Sequence, residues 1–562
     1  MTDFDWKGAA EMAAIEADFI IVGGGAAGCL AAIRALEVNP NLKVVILEKA
    51  EISRSGAAGR GMDALNNVVV PGVSTVDEYI EAVRLVSEGV FDQAISRVIG
   101  ERSFRVLRRL ENWGLQFPRS ADGDYIVNQF HPKGRFLVEM RGELKKIVAA
   151  RTLAAGAKVY NRHPVLDLIR GDDHMAGVVA LDVATGQVRT FLSPAVLLAT
   201  GGAARIGLPN TGYLHGTFDC PWCNGEAWKM GYEAGALLTG FEYTATSSMT
   251  RDFNGPGLST FIRHGAWLIN GLGERFMARY DAERLEHAPA GIRSKAMMAE
   301  INAGRGPIAF SLSHLPQETI AIIEEGLFET ERPTMREYFQ GKGINLRTGP
   351  VEMVPSEVYL CGGHGLAGLV ADECGETAVP GLFAAGDCLA NPYGFLTGAM
   401  VMGEVVGEQV ASRKQDLPQH HDAAEKLEAL RRTMARHRRG GLDVSAREFE
   451  YKFRRLVNEY VAPPKSELKL TRFLRETEPL TNDQGDLPAR DTHEMMKVFE
   501  TKAGLFCARL AALASLFRTE SRFGLFHQRI DYPERDDAHW ATRILIRRGE
   551  DDHPVLFKEK RL

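Results

Sequence analysis

Residues 18–50 constrain the fold of this chain more than any other segment. DFIIV is a short apolar β-branched run, GGGAAG follows it, CLAAIRALEV has helical spacing, and KVVILE is a second buried strand. Gly23, Gly25 and Gly28 stand in the spacing Gly-x-Gly-x-x-Gly, with an acid, Glu48, 20 residues after Gly28. A glycine triplet alone is weak evidence. Between strand and helix, with an acid at that distance, it specifies a dinucleotide-binding βαβ unit. The glycines let the backbone approach a pyrophosphate at the helix N-terminus, where the dipole favours anions. Glu48 accepts from a ribose, and Ala26 and Lys49 flank these contacts.

Two further glycine-ended segments separate a nicotinamide from a flavin. After Glu48 comes KAEISRSGAAGRGMDALNN, small enough at Ser55, Gly56, Gly59 and Gly61 to run along an extended cofactor. PAVLLATGGAAR (194–205) supplies Thr200 and Gly201, and VPGLFAAGDCLANP (379–392) supplies Gly386 and Asp387. Three separated segments converging on one ligand suit FAD bound along its length, with other units inserted between them.

The bulk of the sequence excludes several classes. At 562 residues the chain exceeds one core. A net charge of −6 leaves no basic footprint for nucleic acid. The longest apolar runs are strand-length and broken by glycine, so no membrane span is expected. An acidic N-terminus without a signal pattern and seven scattered cysteines lead to the expectation of a reducing, cytoplasmic setting.

WLINGLGERFMARY (267–280), LLATGGAAR, VPGLFAAGD and above all RTESRFGLFHQRIDYPERDDAHW (518–540) resemble the flavoprotein subunits of the fumarate reductase and succinate dehydrogenase family. SRSGAAGRGMDALN, GRFLVEMRGELKKIVAA and YLCGGHGLAGL resemble its adenylylsulfate reductase α-subunit branch. The resemblance implies an α/β fold with a Rossmann-like FAD domain split over 15–240 and 350–415, interrupted by a capping domain at 241–349. A helical domain at 416–515 and a packed tail at 516–562 would follow.

Carried over from that branch, Trp222, Arg251 and His364 are the expected active-site set, and Arg263 falls one position from the family's proton-transferring arginine. Two departures matter. Relatives that bind FAD covalently use a histidine where this chain has Arg54-Ser55-Gly56, so non-covalent FAD is expected. Dicarboxylate-acting members have an arginine where this chain has Phe395 and Leu396, and a histidine-proline-threonine-glycine stretch where it reads YTATSSMT. Without that bidentate fork, fumarate and succinate are not the expected substrates.

The thiols of Cys220-Pro-Trp-Cys223 admit three readings: pocket wall, flavin-coupled dithiol or metal knuckle. No second ligand pair accompanies them, so no metal is expected. The chain carries no ferredoxin-type cysteine run. An FAD-dependent oxidoreductase acting on a small polar metabolite therefore needs a separate ferredoxin-like iron–sulfur subunit, within a hetero- or homo-oligomer. The alternatives are a dithiol–flavin oxidoreductase and a flavin electron-transfer or sensor subunit without its own substrate.

Overall fold

The unit read from residues 18–50 folds as β1 (Phe19–Val22), α1 (Ala26–Val38) and β2 (Val44–Glu48). The computed structural model describes residues 14–560 apart from 63, 130–133, 209–216, 218–219, 254–257, 332, 361–363, 414–416 and 418–422. β3 (Lys158–Asn161) extends the sheet beyond β2, and β4 (Val196–Leu198) lies on the other side of β1. α2 (Glu226–Ala234) follows β4 by way of the Cys220–Cys223 turn, in which Cys223 N donates to Cys220 O at 3.1 Å. β5 (Leu382–Ala384) completes the order β5–β4–β1–β2–β3, parallel throughout. Every residue of β1, β2, β4 and β5 is buried, as expected of parallel strands covered on both faces.

α3 (Phe395–Ser412) covers one face against α1. Its sequence GEVVG brings two backbones into contact: a Cβ at Gly403 would lie 2.3 Å from Ala27 O, and one at Gly407 2.3 Å from Ala31 O. Only glycine allows that approach, and it fixes the helix that starts the fingerprint against the helix that follows Asp387.

Residues 165–192 add an antiparallel sheet of three strands, which Ile15–Glu16 joins in parallel. A separate four-stranded antiparallel sheet has the order Ser248–Thr250, Val351–Pro355, Ile308–Ser311, Trp267–Ile269. It has its own apolar core, built on Phe261, Phe276, Phe310, Ile323 and Val351 and distinct from the main one. We call this unit the cap. Helices at 423–439, 446–460 and 467–483 lead to the long α4 (Thr492–Phe517). Their starts are written in the sequence: Ser445 and Glu448 form a reciprocal capping box, and Asp491 accepts from Glu494 N at 2.8 Å.

The tail returns to the body. Ile544–Arg548 pairs with Leu238–Thr239, which pairs in turn with Gly368–Leu369. Fully buried Arg518 reaches Glu242 at 3.0 Å and Glu520 at 2.8 Å, and buried Arg522 reaches Glu520 at 2.7 Å. Among the described residues no helix is long and apolar enough to cross a membrane. The architecture is thus α/β, with a cap inserted into the sheet domain and a helical C-terminal region.

Candidate active site

The C-terminal ends of β1, β2, β4 and β5 open on one cavity of about 560 Å³ between the sheet domain and the cap. This is where ligands bind in open parallel α/β sheets. Gly23, Gly25, Ala26, Glu48, Ser55, Gly56, Gly61, Thr200, Gly201, Gly386 and Asp387 all line it, although they come from three distant parts of the chain.

At the nucleotide end, Glu48 is buried, with Oε2 accepting from Gly24 N at 2.8 Å and Oε1 from Ala50 N at 2.7 Å. Both carboxylate oxygens are thereby aimed, with lone pairs left for ribose hydroxyls. A Cβ built at Gly25 meets only Ala199 O, at 3.9 Å, so this position faces open cavity. Ser55 Oγ is buried without a hydrogen-bond partner among the described residues. An orphaned hydroxyl beside a glycine cradle fits a polar, elongated ligand, and FAD suits both the residues and the shape. Cys388 holds the Thr200–Gly201 turn: its Sγ accepts from Thr200 N at 3.0 Å and donates to Gly201 O at 3.3 Å, and burial pushes the thiol up to about 12.

Three expected cofactor contacts are placed differently. Gly28 and Gly59 do not line the cavity; each lies against backbone, Gly23 O and Arg54 O respectively. Lys49 lines it, yet its ammonium is committed: Nζ lies 2.5 Å from Glu226 Oε1, 3.0 Å from Glu500 Oε1 and 2.5 Å from Trp222 O. Against the desolvation of burial, those two carboxylates hold Lys49 protonated far above its ordinary range.

The expected catalytic set divides. His364 is buried at the cavity within a cage of aromatic rings, Tyr393 and Phe395 at 5.5 Å, Phe526 at 5.3 Å and Tyr243 at 5.9 Å. Arg263, from the cap, lines the cavity and lies 3.2 Å from Glu139 of the sheet domain. Trp222 lines it too, but in the group of Lys49 and Lys497, whose Nζ stands 4.6 Å over its ring; nearly half of Trp222 is exposed. Arg251 does not line the cavity. It pairs with Glu352 at 2.7 Å on the cap surface, with its side chain 46% exposed, because the strand it follows, Ser248–Thr250, carries it away along the cap sheet. Cys220 and Cys223 lie on the wall, and a Cβ at Gly201 would lie 2.7 Å from Cys223 Sγ. Among the described residues no cluster of His, Cys, Asp and Glu is arranged to hold a metal.

Sequence reasoning missed Arg293 and His287. Arg293 lies on the cap helix Ala290–Asn302, where Nη1 donates to Ala288 O and, at 3.3 Å, to Glu286 O. Burial lowers it to about 10, with Glu286 opposing, and no carboxylate forms an ion pair with it among the described residues. Burial and the nearby Arg293 charge lower His287. Nothing in GIRSKAMM marks this arginine out, since a basic residue every few positions is ordinary on a helix.

The comparisons agree with this construction. Residues 18–398 match the FAD-binding domain family, and residues 450–561 match the fumarate reductase flavoprotein C-terminal family. The chain is 25% identical to an FAD-dependent oxidoreductase of Methanocaldococcus jannaschii (95% of this chain, 96% of that one). It is 25% identical to the adenylylsulfate reductase α subunit of Megalodesulfovibrio gigas (94% and 92%) and 27% identical to a fumarate reductase flavoprotein subunit of Mycobacterium tuberculosis (95% and 95%). The solved adenylylsulfate reductase of Archaeoglobus fulgidus superposes with a TM-score of 0.88 at 26% identity, covering 97% of this chain and 96% of that one. With a glycine cradle, an aimed ribose acid and family matches over both halves, the chain belongs to the fumarate reductase/succinate dehydrogenase flavoprotein family and is an FAD-dependent oxidoreductase.

Proposed function

We propose that this chain is the flavoprotein subunit of an enzyme that oxidises or reduces a small anionic metabolite held between sheet domain and cap, and that it exchanges electrons with a separate iron–sulfur protein. One observation carries the substrate class. Every ionisable residue that the cap contributes to the cavity lining, among the described residues, is basic: Arg263, His287 and Arg293. The lining carboxylates Glu48, Glu226, Asp387 and Glu500 all belong to the sheet domain and α4. Arg293, half-buried and in no ion pair among the described residues, lines the cavity and favours a negative group there. FAD supplies the two-electron chemistry when bound. In this reading Arg263 and His364, both on the cavity lining, hold the substrate and move a proton at its reacting atom, and the aromatic rings around His364 limit access of water. Phe395 and Leu396 both line the cavity, so no arginine stands at those positions to clamp a second carboxylate.

The electron partner rests on the sequence, which has no cluster motif, and on relatives that are themselves named as subunits. Cys220 and Cys223, three residues apart and both on the cavity wall, favour one alternative, a dithiol-coupled flavin. An anaerobic screen decides between them, following the flavin band while small carboxylates and inorganic oxyanions are added singly, with dithiothreitol as comparison. Bleaching or reoxidation by an anion, weakened in Arg293→Met through a KM raised ~10–100-fold, supports the proposal. Response to the dithiol alone supports the alternative, and response to neither favours an electron-transfer or sensor subunit.

A further inference from the structure

Lys145 is a buried ammonium that the site as described does not use. It is 5% exposed and does not line the cavity. Its Nζ donates to Gly24 O and lies 3.8 Å from Cys29 Sγ, and Cys29 Sγ donates to the same Gly24 O at 3.3 Å. No carboxylate lies within ion-pair distance of it among the described residues. Glu48, which faces the same turn, accepts from Gly24 N and Ala50 N and forms no ion pair with Lys145 among the described residues. Lys145 is also the second residue of the helix Leu144–Ala154, so it adds its charge to the positive end of a helix dipole. A cation buried at a helix N-terminus, without an ion pair, is unfavourable unless an anion arrives.

The peptide between Gly24 and Gly25 shows where that anion sits. In a trans peptide the carbonyl and the amide point in opposite directions. With Gly24 O held inward by Lys145 and Cys29, the Gly25 N–H is turned the other way, and Gly25 is a cavity-lining residue with open space before its Cα. Gly25 is also the N-cap of α1, so a second helix dipole points to the same spot.

We propose that Lys145 is a cofactor-positioning residue. It sets the Gly24–Gly25 peptide so that the Gly25 N–H faces the FAD pyrophosphate, and it supplies from beneath the turn a buried positive charge that the pyrophosphate neutralises. The residue acts through the peptide and does not touch the ligand.

The test uses apoprotein titrated with FAD, and displacement of FAD by ADP and by adenosine, in Lys145→Met and Lys145→Gln. The methionine variant should bind FAD and ADP ~10–100-fold more weakly, the size of a hydrogen bond and charge removed together. Adenosine, which lacks the pyrophosphate, should compete unchanged. Glutamine can still donate to Gly24 O and should show the smaller loss. Apoprotein melting temperature should stay level or rise in the methionine variant, since an uncompensated buried charge is gone, while the increment on adding FAD shrinks. Equal loss for ADP and adenosine would show a merely structural lysine, and unchanged ADP affinity in both variants would remove the role altogether. Should Lys145→Met not fold, the ADP-to-adenosine comparison in Lys145→Gln decides alone.

Discussion

Gly25 and Gly28 stand three residues apart in one motif and should respond differently to the same methyl group. A Cβ at Gly25 finds only Ala199 O at 3.9 Å, whereas at Gly28 it falls 2.1 Å from Gly23 O. Gly25→Ala should therefore fold and melt like the parent as apoprotein but bind FAD more weakly. Gly28→Ala should lose several degrees of melting temperature with or without cofactor. Thermal scans of both variants, with FAD and without, check the pair. At the same scale, Arg54, Ser55 and Gly56 offer no histidine to the flavin, so acid precipitation should leave the yellow colour in the supernatant. Flavin retained in the pellet would contradict this. Residues whose role depends on backbone geometry, such as Gly25 and Glu48, were legible because the geometry needs those residue types at a fixed spacing. Arg293 and Lys145 were not, since the close approach of distant segments gives each its meaning and their own neighbours do not. Arg251 shows the converse: a resemblance in sequence did not bring its side chain to the cavity.

Among the elements, α4 does the most to organise charge around the nucleotide end. Glu500 is almost wholly buried, 2.5 Å from Lys497, 3.0 Å from Lys49 and 3.7 Å from Arg205. Burial alone would raise its carboxyl; Lys49, Lys497 and Arg205 reverse this and hold it at about 2, against 4.5 for the free group. A depressed carboxyl contributes stability above its unfolded value, and the contribution fades as pH falls toward the folded one. Glu500→Gln should thus cost about 3–5 kcal/mol at neutral pH. Its deficit in denaturant midpoint should shrink steadily from pH 4.5 downward, and a deficit independent of pH would contradict the network. The Cys220–Cys223 turn leads directly into α2. If its thiols only shape the wall, the double serine variant should keep FAD and most of its turnover. Loss as complete as in Arg263→Ala would assign them redox work, because serine cannot replace a thiolate at neutral pH. Helices of this size announce themselves through caps such as Ser445 with Glu448. The cap strands did not, because Ser248–Thr250 and Trp267–Ile269 are three residues long and show no sustained alternation.

For the whole molecule, the order β5–β4–β1–β2–β3 was not legible from periodicity. β5 joins the sheet only after the entire cap has been threaded, and that connection came from resemblance. The tail is a structural wall of the site as well as a terminus. Phe526 closes the cage of His364, and Arg518 neutralises Glu242, the neighbour of the cage residue Tyr243. A chain stopped after Phe517 keeps every residue that lines the cavity, yet it leaves the buried Glu242 without that arginine. It should fail to hold FAD and should melt well below the full chain, by circular dichroism and flavin fluorescence.

This dependence sets a schedule for biosynthesis. The glycine turn, the sheet and the cap leave the ribosome while the segment that closes the His364 cage is still being decoded or lies in the exit tunnel. Capture of the cofactor in a finished pocket therefore waits until that segment has emerged and docked. Nascent chains arrested at successive lengths should stay without flavin up to residue 517 and acquire it only once residues 518–548 are free to dock.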